Sequence, residues 1–521
     1  MGEVAGRARR RAGGGRAARV TAHAAGETTI NPAPPGQSGG AYCPLSADDV
    51  AAIIATAFRL LSELGMGEVP AALARQCIAH GATMTAAGRL QVPEALVQRA
   101  IDSAARTITF HGRDPARSFT LGDDAVHYGT GGAAVQTLDL DTHRYRPSTL
   151  QDLGDFTRLI DTLTNVSWFT RCCIATDVPD VDALDLNTAF ALLKGTTKPV
   201  GTAFTLAENV APIIEMFDIA LGGHGAFRET PFCKAHISPI ISPMRFGEDA
   251  VDVTMACIEH GVPISCITAA QSGATAPATP AGFLAQSLAE TLAALVMVHV
   301  YAPGYPIIFS NWPLVIDLRT GAFAGGGGEI AVMNAASAQV SNALSLPSGV
   351  ACSMSDAKAI DAQMGAEKAM TALAAGLAGG NMIYESSGMT ASLLGASFEA
   401  FVLDDEMLSH VYRAIRGIEV TSETLGYDAI CEAVLGEGHF LGGAHTMAAM
   451  QRDYFYPELA DRDDPRTWAE NGAEDAWQRA NARAREVLAT HWPAYLDAEA
   501  ERDIRKRFDI VFPVGGSVAS V

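Results

Sequence analysis

Along most of this chain, short apolar runs alternate with stretches of helical period. The runs fall at 166–174, 199–204, 232–237, 263–267, 306–310, 350–354 and 382–385. Between and before them lie amphipathic stretches at 150–163, 182–194, 209–221, 249–260, 283–301, 329–344 and 361–377. Continuous apolar runs of this length fit strands covered on both faces, and their alternation with helices predicts a parallel sheet. Seven runs are evident, and a segment near 125–128 supplies an eighth. Eight such units close into a TIM (β/α)8 barrel, so the expected class is α/β with that architecture. No GxGxxG joins a first strand to a helix, which weighs against an open doubly wound sheet.

The flanks break this rhythm. Residues 46–64 read as a helix, with Ser46 as N-cap, Asp49 three residues on and Gly65 as the stop. A second helix follows Pro93, and strand-like segments fall at 107–111, 118–121 and 125–140. The region 43–147 is therefore expected to be a helical cap and strand-rich segment leading into a barrel over 148–400. Beyond it, 404–416, 422–435 and 473–490 are helical in pattern, giving a C-terminal helical extension over 401–521. Residues 1–42 carry six arginines between Arg7 and Arg19 and then a Gly/Pro/Ser stretch, which reads as a disordered arm.

Composition narrows the function. Apolar residues make up 48% of the chain and charged ones 18%, as expected of a protein with a large core. The formal net charge of −21 makes nucleic acid a poor partner, since that affinity rests on Lys and Arg meeting phosphates. It favours small cations and basic protein patches instead. Nine cysteines without a CxxC fit a reducing, cytoplasmic setting and buried, inert thiols. The longest apolar helix, 283–301, carries Gln286, Ser287, Glu290, Thr291 and His299, so it reads as a core helix and no membrane span is expected. There is no HExxH or HxH, so no metal site is expected. Self-association is compatible with all of this.

In a parallel barrel, reacting groups project from the C-terminal ends of strands. That places Phe169, Arg171, Thr205, His236, Ser238, Gln271, Phe309, Asn311, Trp312, Tyr384 and Glu385 on the working rim, with Tyr128 at the end of the earliest strand. Thr205 reads as a loop hydroxyl and His236 as either core or ligand, whereas a charge at Arg171 must be paired or face a ligand. The glycine run 325–328 before Glu329 suits close backbone packing better than anion binding. The densest polar cluster follows the 350–354 run: Ser355, Asp356, Lys358, Asp361, Gln363 and Glu367. A plain capped helix starting at Asp361 accounts for part of it.

That cluster resembles the trimethylamine methyltransferase superfamily, which includes enzymes that demethylate glycine betaine and related quaternary amines. Asp317 to Gly321, Leu346 to Ser348, Asp405 with Glu406, Arg416 to Ile418, Gly438 to Leu441 with His445 and Thr446, and Trp468 to Gly472 extend the likeness over about 300–492. The resemblance implies a TIM barrel that moves a methyl group from a methylated amine to the cobalt of a separate corrinoid protein. Archaeal trimethylamine enzymes carry pyrrolysine near the segment that looks like Lys358 to Ile360; here those residues are ordinary, which turns the expectation toward quaternary amines. A quaternary nitrogen leaves as a neutral amine and needs little acid–base help. Its site needs aromatic faces, acidic groups and an anchor for any carboxylate. Tyr128, Phe169, Phe309, Trp312 and Tyr384 are the aromatic candidates; Arg171, His236 and Asn311 are the anchors. Gln271, Ser355 and Gln363 are expected to bind substrate as well, with Asp356, Lys358 and Glu367 as the catalytic candidates. No DxHxxG signature is present, and Asp141 to His143 is followed by Arg146 where glycine belongs. The corrinoid is therefore expected from a partner protein or as free cofactor, with none bound tightly. A barrel lyase or hydrolase of a small polar metabolite, or a non-catalytic methylamine binder, are the alternatives.

Overall fold

The computed structural model describes residues 31–513; the arginine cluster of the expected arm lies outside them. Eight parallel strands carry the fold: β1 (Ala125–Tyr128), β2 (Phe169–Thr170), β3 (Val200–Thr202), β4 (Cys233–Ile237), β5 (Ile264–Thr268), β6 (Ile307–Asn311), β7 (Ser348–Ala351) and β8 (Met382–Tyr384). Each is followed by a helix: α1 (Leu150–Asp161), α2 (Val181–Gly195), α3 (Val210–Ala220), α4 (Glu248–His260), α5 (Pro280–Tyr301), α6 (Gly328–Ala343), α7 (Ala362–Leu377) and α8 (Phe398–Arg416). Side-chain caps start several of them. Thr149 and Asp152 form a capping box on α1, while Asp180, Asp361 and Ser397 cap α2, α7 and α8.

The strands form one curled, nine-stranded sheet in the order β1-β8-β7-β6-β5-β4-β3-β2, with the short strand Gln37–Ser38 added antiparallel to β1. The two ends of the parallel row meet. Ser167 N–H donates to the Tyr128 carbonyl at 2.8 Å, and Tyr128 bridges Val166 in parallel. Side chains alternate across the sheet. Val126, Tyr128, Phe169, Val200, Ala235, Phe309, Val350 and Ile383 join the large cluster that includes helix residues such as Phe156, Phe190, Phe217 and Leu288. Trp168, Ile267, Ile308, Ala351, Met382 and Tyr384 form a second cluster on the opposite, concave face.

Most expected elements are present, with some differences. Strand β7 ends at Ala351, earlier than the 350–354 run suggests, because Ser353 turns left-handed (φ 63°) and leads the chain into the loop. The helix expected from Ser422 starts at Tyr427, after a turn in which Thr421 and Thr424 bond each other. Helix α8 begins at Phe398 and so runs across the expected boundary at 400. Part of the expected arm is built in: Gly36 and Gly39 N–H donate to the carbonyls of Val126 and Asp124. Additional helices at Ala71–Ala79, Ala444–Arg452, Pro465–Glu470 and Ala498–Arg507 are too short or too polar to stand out by periodicity. Helix α5 is long and apolar enough to cross a membrane, but most of it is buried within the protein.

The chain divides into two compact units, one of Ala33–Gly417 with Pro457 onward, the other containing Ile418–Tyr456. In the second, helices Tyr427–Leu435 and Ala444–Arg452 bury no residue fully, and Ile418, Val434, Leu435 and Leu441 are each at least 70% exposed.

Candidate active site

The concave face carries an aromatic cluster near the C-terminal ends of the strands. Tyr384, last residue of β8, has its ring centroid 5.0 Å from Trp312, 5.4 Å from Trp168 and 5.7 Å from His236. His236, on β4, packs edge-on against Trp312 at 5.4 Å. The Tyr384 hydroxyl is held by Ser265 at 2.8 Å, which fixes the ring. Two residues before His236, Lys234 points to the same side and sets its Nζ 4.6 Å above the Tyr384 ring. Trp168 needs Gly129 opposite it, because a Cβ there would lie 2.3 Å from the indole.

Polar groups in this region are buried without partners. Thr170 Oγ1, Lys234 Nζ, His236 Nδ1, Thr268 Oγ1, Asn311 Oδ1, Trp312 Nε1 and Glu385 Oε2 find no hydrogen bond among the described residues. Native interiors satisfy nearly all such atoms, each orphan costing roughly 1–3 kcal/mol. Their concentration at one end of one sheet marks a place built to receive something polar.

Charge follows the same pattern. Burial pushes the Lys234 ammonium down to about 7, against the pull of Cys233 and Glu385. Burial likewise pushes the Glu385 carboxyl up to about 8, against Lys368, Lys234 and Arg171. His236 is held neutral by burial and by the neighbouring Lys234 and Arg171. Glu385 sits in the left-handed region (φ 62°), and the backbone of Gly131 and Gly132 comes so close that a Cβ on either would lie 2.7–2.9 Å from its carboxylate. Non-glycine residues seldom adopt that conformation without a local reason.

The residues expected from sequence divide between three places. Arg171, His236, Asn311, Trp312 and Tyr384 lie with this group, and Gln271 stands half-buried just beyond β5. Tyr128, Phe169 and Phe309 do not join it; they sit on the alternate strand positions that face the helices. Tyr128 spends its hydroxyl on the Ala372 carbonyl of α7. The third group is the polar loop after β7. Glu367 Oε2 accepts from Ser355 Oγ and Asp356 N–H, and its Oε1 from Gln363. Asp356 Oδ1 accepts from Gly325 N–H and Ser392 Oγ, each at 2.8 Å, and Oδ2 from Gly326 N–H at 3.3 Å. Lys358 is exposed and donates to the Asp356 carbonyl. These residues tie the loops after β6, β7 and β8 together. The glycine run packs closely, as its sequence suggests: a Cβ on Gly326 would lie 2.3 Å from Glu367. Thr205 is a loop hydroxyl bound to Asp185.

Lys234, Trp168, Thr170 and Thr268 escaped the sequence reading. Trp168 and Lys234 lie before the strand ends to which the rim rule points, and Thr170 and Thr268, the last residues of β2 and β5, are small hydroxyls that the rule passed over. The available signal was a lysine inside an otherwise uncharged strand, Cys233–Ile237, since a buried ammonium is exceptional. Among the described residues there is no cluster of metal-ligating side chains.

The profile of the family described as "Trimethylamine methyltransferase (MTTB)" matches residues 9–509. A glycine betaine methyltransferase of Desulfitobacterium hafniense (strain Y51) is 28% identical over 89% of this chain and 96% of its own length. A trimethylamine methyltransferase MttB of D. hafniense (strain DSM 10664 / DCB-2) is 30% identical over 80% and 83%, and one of Methanosarcina thermophila is 30% identical over 80% and 86%. Among solved structures, the Methanosarcina barkeri monomethylamine methyltransferase (MtmB) overlaps 86% of this chain and 95% of its own at 13% identity, with a TM-score of 0.47. With its profile spanning nearly the whole sequence, the chain belongs to the trimethylamine methyltransferase (MTTB) family and is a methyltransferase.

Proposed function

We propose that this chain takes a methyl group from a quaternary methylated amine, a betaine being the type, and passes it to the cobalt of a corrinoid held by a separate protein. The chemistry takes place at the C-terminal rim of a closed eight-stranded TIM barrel. The observation that carries the reading is the group of partnerless polar atoms beside the Trp312–Tyr384–His236 cluster. Aromatic faces attract ammonium groups, and unspent donors await a polar ligand. The Tyr128–Ser167 bond that joins the sheet's ends supports the closed barrel. The glycine betaine relative supports the substrate class.

The corrinoid, when docked, supplies the nucleophile that accepts the methyl group. The chain's own work is to bind and aim the amine and to exclude water. We place Trp312, Tyr384, His236, Asn311 and Arg171 against the substrate, with Gln271 at the entrance. Asp356 and Glu367 hold the loops that frame it. The setting is cytoplasmic, and the chain associates with copies of itself through the apolar side chains of Ile418–Tyr456.

Purified protein, a reduced corrinoid and glycine betaine should together give the methylcobalt absorption change and dimethylglycine. Absence of that change across a panel of quaternary amines would overturn the reading.

A further inference from the structure

The described residues include three fully or nearly buried lysines, and two of them are satisfied. Lys198 donates to the carbonyls of Leu163 and Val166, and Lys368 to the Ser353 carbonyl and the Asp404 carboxylate. Lys234, wholly buried, donates to nothing among the described residues. Beside it lies a second orphan donor. Gly201 of β3, between β2 and β4, would place a Cβ 2.6 Å from Thr170 Oγ1 and 3.0 Å from Lys234 Nζ. The missing side chain is therefore what leaves these two donors a common neighbourhood. The backbone of Arg171 is tied to the same glycine, its N–H donating to the Gly201 carbonyl at 3.0 Å. A lysine ammonium and a hydroxyl thus meet over one glycine. Among the described residues Glu385 is a carboxylate that acts on both Lys234 and Arg171, and burial drives it toward its neutral form.

This arrangement suits an anion better than a cation. One face of Tyr384 already carries Lys234, so a substrate ammonium belongs on the Trp312 side. We infer that Lys234 and Thr170, around Gly201, form a carboxylate subsite that selects methylated amines bearing an acid group over those lacking one. The inference rests on the methylated-amine reading above, which by itself admits amines with or without an acid group.

Calorimetry with glycine betaine, choline and acetate tests it on the wild type, Lys234→Met and Gly201→Ala, each checked for folding by its thermal melt. Choline keeps the trimethylammonium group but replaces the carboxylate with a hydroxymethyl. The wild type should favour betaine over choline by about tenfold or more, the scale of a charge-assisted bond. Both variants should collapse that ratio toward one while leaving choline binding nearly unchanged. Gly201→Ala keeps the lysine and blocks only the space, so it covers the case in which Lys234→Met fails to fold. A wild type that binds choline as tightly as betaine, or variants that keep the preference, overturns the subsite and leaves the methyltransferase reading intact. Acetate binding that disappears in Lys234→Met, with neither methylated amine bound by the wild type, upholds the subsite and overturns the substrate reading. No binding of any of the three overturns both.

Discussion

At the scale of single residues, Lys234 and Glu385 titrate in opposite senses, and stability should record it. The Lys234 ammonium falls from its ordinary 10.5 to about 7 in the fold, so the folded chain binds fewer protons than the unfolded one between those values. Its burial therefore costs most below pH 7, and the cost fades as pH rises toward 10.5. Glu385 rises from 4.5 to about 8, so its penalty is absent below pH 4.5 and grows up to pH 8. Lys234→Met should accordingly stabilise the protein most at pH 6 and little at pH 10. Glu385→Gln should do the reverse, gaining most at pH 8 and nothing near pH 4.5. The full effects are on the order of 2–4 kcal/mol, and denaturant melts at several pH values check both slopes. Sequence reading listed more than half of the residues in the concave-face group. It reached Arg171, His236, Asn311, Trp312, Tyr384 and Glu385 because they cluster at the ends of apolar runs. It assigned Tyr128, Phe169 and Phe309 as well because a continuous apolar strand hides which of its two faces each residue takes. Only the two-residue alternation, anchored by the structure's register, separates Phe169 from Trp168.

At the scale of elements, the polar cluster after β7 stood out in the sequence, but its partners did not. Asp356 reaches Gly325, Gly326 and Ser392, which lie about thirty or more positions away on loops after β6 and β8. Sequence spacing gives no hint of such a clasp, whereas the Gln363–Glu367 pair is visible as four residues on one helix face. Asp356→Ala should loosen these loops, lowering stability by roughly 1–3 kcal/mol and raising KM. Asp356→Asn, which keeps the Oδ1 acceptor for Gly325 and Ser392, should lose less of both. Thermal melts beside steady-state kinetics distinguish this from direct chemistry, in which both variants would lose kcat equally at unchanged stability. The strand-to-helix order itself was legible because each unit combines a run covered on both faces with an amphipathic helix. Strand β2, with only Phe169–Thr170 in regular pairing, shows how much shorter than its apolar run a strand can be.

At the scale of the whole molecule, the proposed self-association rests on the exposed apolar side chains of Ile418–Tyr456. Light scattering should give a mass above one chain's 54.5 kDa, and Val434→Asp with Leu435→Asp should bring it down; a wild type of single-chain mass would dismiss self-association. No periodicity signals this surface, because its helices look like ordinary amphipathic ones whose apolar side happens to stay uncovered. The joined ends of the sheet have a different kind of consequence, one of timing. Strand β1 leaves the ribosome roughly 250 residues before β8, its long-term neighbour across Met382–His127 and Ile383–Tyr128. At roughly 5–20 residues per second this is a wait of about 10–50 s. Among the described residues, the sheet partner already made when β1 emerges is Gln37–Ser38, which takes the lower part of the edge that Val166 later completes at Tyr128. Part of the segment expected to be a disordered arm is thus the first partner the nascent strand can meet, supplied by the chain itself.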